Sequence, residues 1–308
     1  MTRRLILDCD TGTDDALAVM LAALHPELEL LGVSCVWGNH CVAATTENTL
    51  RVLEHIGYTG IPVYAGLDAP SVQRLVPVQA QSLRTAYLPL PPASRSAQEQ
   101  PAVPWLVDTL RHDAGPVTLV TTGPLTNIAA ALRLDRGLVE AVEEVVVMGG
   151  TRSVRTSVTP YAERNVWNDP AAADAVLHAG FHRLTLVTLD ATYQALMGAA
   201  DCADLEALGT PAAEAAAMFV TQRVADYRDV PGLDGRAPVH DPLTVAYLLE
   251  SGMLDIEVAS VRVELDDPVT YGRTRLDLFG IANARVALGC DRELFLSVLG
   301  ETLGGTGR

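Results

Sequence analysis

The chain has 308 residues, 49% of them apolar and 19% charged, and a formal net charge of −16. The apolar share supplies a sizeable core, while an acidic balance with no basic run argues against nucleic acid and anionic membrane surfaces as partners. All 22 basic residues are arginine, which excludes Schiff-base lysines, Walker-type phosphate loops and lysine proton donors together.

The elements alternate from the start. RLILDCD reads as a buried strand, and DDALAVMLAALH as a helix whose first turn carries acidic residues suited to its positive end. LELLGVSCVWG is a second apolar strand, residues 43–56 have helical spacing, and IPVYAG is a short strand. Residues 71–104, rich in Pro, Gln, Ser and Ala, read as a long irregular excursion. VTLVTTG followed by LTNIAAALR repeats strand, turn and helix; EEVVVMGG and HRLTLVTLD are further strands. Residues 200–227 are helical, and a helix starts near Asp241 in VHDPLTVAYLLE. VASVRVEL, VTYGRTRLDL and ARVALG return to strands before a last helix and a frayed GGTGR end.

This alternation predicts one α/β domain over 1–308: a mainly parallel, Rossmann-like sheet with helices on both faces. Ligands then bind at the carboxyl ends of the strands. DCDTGTDD, GNH (38–40), TTGPLTN (121–127) and MGG (148–150) each follow an apolar strand, so all four belong on that rim. Cys9, Cys35, Cys41, Cys202 and Cys290 are scattered with no CxxC pair, against a disulfide framework or thiolate zinc site. Asp8 interrupts the first apolar run too early for a signal peptide, and no stretch approaches the ~20 apolar residues that span a bilayer. A soluble, cytoplasmic protein is expected.

The N-terminal aspartates carry the strongest chemical signal. Asp10 ends a strand, and Asp14 and Asp15 open the next helix. Hard carboxylates without a His or Cys partner suit Ca²⁺ or Mg²⁺. Helix capping alone would explain Asp14 and Asp15, but leaves Asp8 and Asp10 as costly charges at the end of a buried strand. A strand followed by DxD and threonine also resembles haloacid-dehalogenase-type phosphatases, although those lean on a basic side chain, usually lysine, which is missing here. Thr126 at the mouth of a helix reads as an N-cap, Glu163 and Asn165 lie on one side of an extended AERN segment, and His240 pairs with Asp241.

Taken together, DxDxGxDDAxA, GN at 38–39, GPLTNIA at 123–129, MGG, AExN at 162–165 and HDPLxVA at 240–246 resemble, in order and spacing, the inosine-uridine preferring nucleoside hydrolases. The resemblance runs from about Arg4 to Leu299 and implies hydrolysis of the N-glycosidic bond of ribonucleosides by a calcium-activated water. It implies Ca²⁺ ligands at Asp10, Asp15, Asp241 and the Thr126 backbone oxygen, with Asp10 also the general base. Asp14, Asn39 and Asn165 would grip the ribose hydroxyls, Glu163 would approach the 5′-hydroxyl, and Met148 would lie beneath the ring. His240 would protonate the departing base, and a homodimer or homotetramer is the implied assembly.

The departures from the family pattern cluster on one side. Ser157 replaces an Asn, Arg164 replaces a Phe, Thr11 replaces a Pro, and the expected HGxxGLG-like loop in 71–100 is missing. Arg152, Arg155 and Arg164 flank Ser157, which raises a second substrate class: a 5′-substituted riboside such as a nucleotide. A third reading, from outside enzymology, is a non-catalytic calcium and ribose-binding protein; Asp10 and His240 count against it, since a binder needs neither base nor acid.

Overall fold

The computed structural model describes residues 2–72, 86–112, 115–154 and 159–305. In chain order the strands are Arg3–Cys9 (β1), Leu28–Cys35 (β2), Val63–Ala65 (β3), Val117–Thr121 (β4), Val142–Met148 (β5), Leu184–Val187 (β6), Leu196–Gly198 (β7), Arg236–Pro238 (β8), Leu254–Val263 (β9), Thr274–Asp277 (β10) and Ala284–Cys290 (β11). The α-helices are Thr13–Leu24 (α1), Val42–His55 (α2), Ala102–His112 (α3), Thr126–Leu134 (α4), Leu138–Ala141 (α5), Arg164–Asn168 (α6), Pro170–Leu177 (α7), Leu189–Thr192 (α8), Ala199–Ala207 (α9), Pro211–Asp226 (α10), Pro242–Leu249 (α11) and Arg292–Leu303 (α12).

Nine strands form one sheet in the order β10-β9-β11-β6-β5-β4-β1-β2-β3. From β11 to β3 the strands run parallel, and β9 lies antiparallel between β11 and β10. β7 and β8 pair separately. The run β3-β2-β1-β4-β5-β6 reverses direction at β1, so β2 and β4 lie on opposite sides of it. A crevice opens at such a switch point, outside the carboxyl ends of β1 and β4.

Side-chain alternation divides the core. Leu5, Leu7 and Cys9 pack into one cluster with α1, α2, α10, α11 and α12; Ile6 belongs to a second with α3, α4, α5 and α7. Helices on both faces agree with the sequence pattern. Asp8 shares the face of Ile6, which turns its carboxyl under α4, where Asn127 Nδ2 donates to it at 3.1 Å.

Several expectations are corrected. AERN is not extended: Glu163 caps α6 and Asn165 lies within it. The N-cap of α4 is Leu125, with Thr126 the first helical residue. The helical stretch 200–227 is two helices, broken where Gly209 takes φ +66°. The excursion from 71 ends at α3, and β10 covers only four residues of VTYGRTRLDL. Residues 86–90 of that excursion lie on α2, where Asn48 Nδ2 donates to Ala86 O and Arg51 Nη1 to Leu88 O and Leu90 O. No helix among the described residues is long and apolar enough to cross a membrane.

Candidate active site

Asp10 follows β1 directly, and its Oδ2 accepts from Asn39 N at 2.6 Å. Asn39 Nδ2 donates to Asp10 O at 3.2 Å and to Asp15 Oδ2 at 3.3 Å, linking the two loops. A Cβ at Gly38 would overlap the Asp10 carboxylate, so only glycine lets the backbone pass this close. Asp15 sits in the first turn of α1, accepting from Gly12 N at 2.9 Å and from Thr122 Oγ1 at 2.7 Å. Asp241 precedes α11, and Asp14 pairs with Arg223, Nη1 to Oδ1 2.7 Å. Three carboxylates from one short N-terminal stretch and a fourth from far along the chain are therefore buried at one rim.

Oxygens of Asp14, Asp15 and Asp241 all lie within 4.8 Å of one another. Burial pushes Asp10 and Asp241 well above the ordinary carboxylate range, and repulsion from neighbouring aspartates adds to it. Asp15 is pushed up to about 6 by burial and then by Asp14. Asp14 alone falls below the usual range, because Arg223 and His240 outweigh the effect of burial. Asp14, Asp15 and Asp241 crowd one buried guanidinium, that of Arg223, and Asp10 is raised by its aspartate neighbours, so the carboxylates are short of positive charge and their hard oxygens suit a divalent cation. The residues present fit such an ion.

The remaining candidates line the same rim. Thr126 Oγ1 donates to Asp169 Oδ2 at 2.9 Å and accepts from Trp37 Nε1 at 3.3 Å. Asn165 Nδ2 donates to Thr122 O at 2.7 Å and reaches Met148 O and Sδ at 3.3 and 3.4 Å. Glu163 accepts from Asn165 N, Val166 N and Gly150 N, so its buried carboxylate organises the start of α6 and ties it to the end of β5. His240 Nδ1 lies 2.8 Å from Thr192 Oγ1, its Nε2 lies 3.5 Å from the Tyr227 hydroxyl, and the Tyr193 ring sits 5.9 Å away. Burial, then the Arg223 charge, lower its pKa to about 3. Arg164 is exposed, and its charge is felt by Asp10, Glu163 and His240. Arg152 is also exposed, its backbone N–H donating to Asp190. Ser157, Arg155 and residues 73–85 lie outside the described residues.

Sequence reasoning missed Arg223, Asp169, Thr122, Tyr193 and Tyr227. Asp169 had a signal, an Asp-Pro step at a helix start, and Thr122 lay within the rim motif TTGPLTN; Arg223, Tyr193 and Tyr227 had none that singled them out.

A doubly wound α/β sheet with a cluster of buried carboxylates at its switch point defines a class of protein, and comparison identifies the family. Residues 5–297 match the family described as inosine-uridine preferring nucleoside hydrolase. The chain is 37% identical over 309 residues to the pyrimidine-specific ribonucleoside hydrolase RihA of Shewanella sp. (strain ANA-3), covering 98% of this chain and 96% of that one. It is 34% identical over 309 residues to the pyrimidine-specific ribonucleoside hydrolase RihB of Escherichia coli (strain SE11), covering 98% and 97%. Among solved structures, the purine-preferring ribonucleoside hydrolase from Gardnerella vaginalis superposes with a TM-score of 0.90 at 29% identity, covering 99% of each chain. The chain belongs to the inosine-uridine preferring nucleoside hydrolase family. It is accordingly an enzyme of the N-ribosyl hydrolase class, which sets the phosphatase reading aside.

Proposed function

We propose that this chain, acting as one domain over 1–308, hydrolyses ribonucleosides to free base and ribose in a Ca²⁺-dependent reaction. The observation that carries the proposal is the buried trio Asp14, Asp15 and Asp241, brought together by the first turn of α1 and the start of α11, with the buried Asp10 beside it, joined to Asp15 through Asn39. Asp10, Asp15 and Asp241 would hold the ion through carboxylates. Thr126 would contribute its backbone oxygen, since its hydroxyl is already engaged by Asp169 and Trp37. When bound, the ion supplies a docking point for the ribose 2′,3′-diol and lowers the pKa of a nearby water.

Asp10 is the general base. The Asn39 N–H holds its Oδ2 and orients the carboxylate, which takes the proton of the water attacking C1′. Asp14, Asn39 and Asn165 would grip the ribose hydroxyls, Glu163 would approach the 5′-hydroxyl, and Met148 would support the ring; Ser157, the remaining candidate on the 5′ side, is outside the described residues. The C1′–N bond breaks through an oxocarbenium-like state, as in glycosidases, and tight sugar binding favours that distortion. His240 is neutral at pH 7 given its lowered pKa. As negative charge develops on the leaving base it raises the basicity of His240, which would take up a proton from solvent and pass it to the base nitrogen as the C1′–N bond breaks. The relatives named above include both pyrimidine-specific and purine-preferring enzymes, so the proposal extends to ribonucleosides as a class. A homodimer or homotetramer remains the expected assembly, to be counted by light scattering.

Removing the base and the acid tests these roles separately. Asp10→Asn is expected to lower kcat at least ~1,000-fold for every nucleoside, the size of loss seen when a principal catalytic group is removed. His240→Ala is expected to slow nucleosides far more than nitrophenyl riboside, whose leaving group needs no proton. Equal losses on both substrates would contradict the acid role. Arg164 favours a second reading, a 5′-substituted riboside, because it carries an exposed positive charge at this rim. Turnover of 5′-monophosphates above that of the parent nucleosides would establish it.

A further inference from the structure

Distance alone does not separate Asp14 from the cation ligands. Its oxygen falls within 4.8 Å of those of Asp15 and Asp241, yet the proposed function gives it to the sugar. What distinguishes it is Arg223, whose Nη1 lies 2.7 Å from Asp14 Oδ1, with the two side chains only 8% and 7% exposed. Arg223 is anchored in turn. Its Nε donates to Pro238 O at 2.9 Å, three residues before Asp241, and its guanidinium lies 5.5 Å over the Tyr227 ring. A planar fork can satisfy the Pro238 carbonyl and the Asp14 carboxylate at once, which a lysine ammonium on a flexible stem does poorly.

We propose that Arg223 is a positioning residue that reserves Asp14 for the sugar: it neutralises the carboxylate, keeps it out of the cation's coordination, and leaves its second oxygen for a ribose hydroxyl. The argument rests on the calcium and ribose reading of the site. Two positive charges a few ångströms apart in a buried setting repel strongly, so a carboxylate already paired with a guanidinium is the poorest of the four as an ion ligand. It remains a full hydrogen-bond acceptor, and its orientation is fixed at both ends of the arginine.

This predicts effects of opposite sign, which a brace that merely supports the fold would not produce. In metal-stripped protein, calorimetric titration with Ca²⁺ should give a dissociation constant at least threefold tighter for Arg223→Gln than for the parent. The same variant should raise KM, and the dissociation constant of free ribose, by tenfold or more, with a smaller change in kcat. Arg223→Lys keeps the charge and should leave calcium affinity within twofold of the parent while raising KM by an intermediate amount. In Asp14→Asn/Arg223→Gln the added calcium affinity should vanish, because the carboxylate responsible for it is gone. Calcium binding that weakens or stays unchanged in Arg223→Gln overturns the proposal, as does tightening of equal size in Arg223→Lys. If Arg223→Gln does not fold, the lysine variant decides by the same two readouts. A parent that binds calcium but releases no ribose refutes the hydrolase reading, while calcium and ribose binding still decide the role of Arg223.

Discussion

A carboxyl group buried without a counter-charge holds its proton, and Asp8 is such a group. It is 2% exposed, and burial pushes its pKa up to about 8 against the opposing hydrogen bond from Asn127. The folded state therefore keeps a proton that the unfolded chain loses near pH 4. Stability from this group is fully present below that pH, falls as pH rises towards 8, and levels off above it. Asp8→Asn stays neutral throughout and still offers Asn127 an acceptor. Urea unfolding of the calcium-free protein should find the variant more stable than the parent at pH 8, with the advantage shrinking towards pH 5. An equal difference at both pH values would contradict this. DCDTGTDD thus holds two kinds of aspartate. That division was not legible in the sequence, where RLILDCD read as a strand through Asp10 and both aspartates stood at its end; the strand stops at Cys9, leaving Asp8 inside it and Asp10 beyond. Arg223 was illegible for a plain reason: an arginine in AAAMFVTQRVAD looks like any solvated helix charge until α1 is seen packed beside it.

At the scale of elements, the starts of α4, α6 and α7 decide the shape of the rim. Asp169 caps α7 through Ala172 N and accepts from Thr126 Oγ1, Ser71 N and Ser71 Oγ. One carboxylate thus ties a helix cap, a proposed calcium ligand and the entry to the excursion after Ser71. Asp169→Ala should cost roughly 2–4 kcal/mol, combining a lost cap with buried donors left unpaired. It should also weaken calcium binding several-fold through Thr126. A thermal melt and a calcium titration check the two effects, and an unchanged calcium affinity would show that Thr126 needs no such support. Long elements such as α1, α2 and β5 were readable because three or more turns, or a run of buried valines, show their period. The five residues of α6 are too few to show any period, and a glutamate is not among the preferred caps. AERN therefore read as extended although Glu163 and Asn165 themselves stood out.

For the whole molecule, the strand order explains why distant segments converge. Reversal at β1 brings the β1 and β4 loops to one crevice, and α11 delivers His240 and Asp241 from far along the chain. The order of motifs announced that rim, and the strand-end rule placed it; the sheet order itself depends on long-range pairing that no local pattern encodes. A rim of buried carboxylates is destabilising until a cation joins it. Calcium should stabilise the fold by about 2.7 kcal/mol at one hundred times its dissociation constant, and so raise the melting temperature in a concentration-dependent way. Potassium at the same ionic strength should not.

The most direct test of the account is release of free ribose from a panel of purine and pyrimidine ribonucleosides and their 5′-monophosphates, with calcium present and after chelation. Nucleosides should release ribose with calcium, lose that release on chelation, and regain it when calcium is restored. Release that is unaffected by chelation would contradict the metal site, and no ribose from any member of the panel, with calcium demonstrably bound, would contradict the hydrolase.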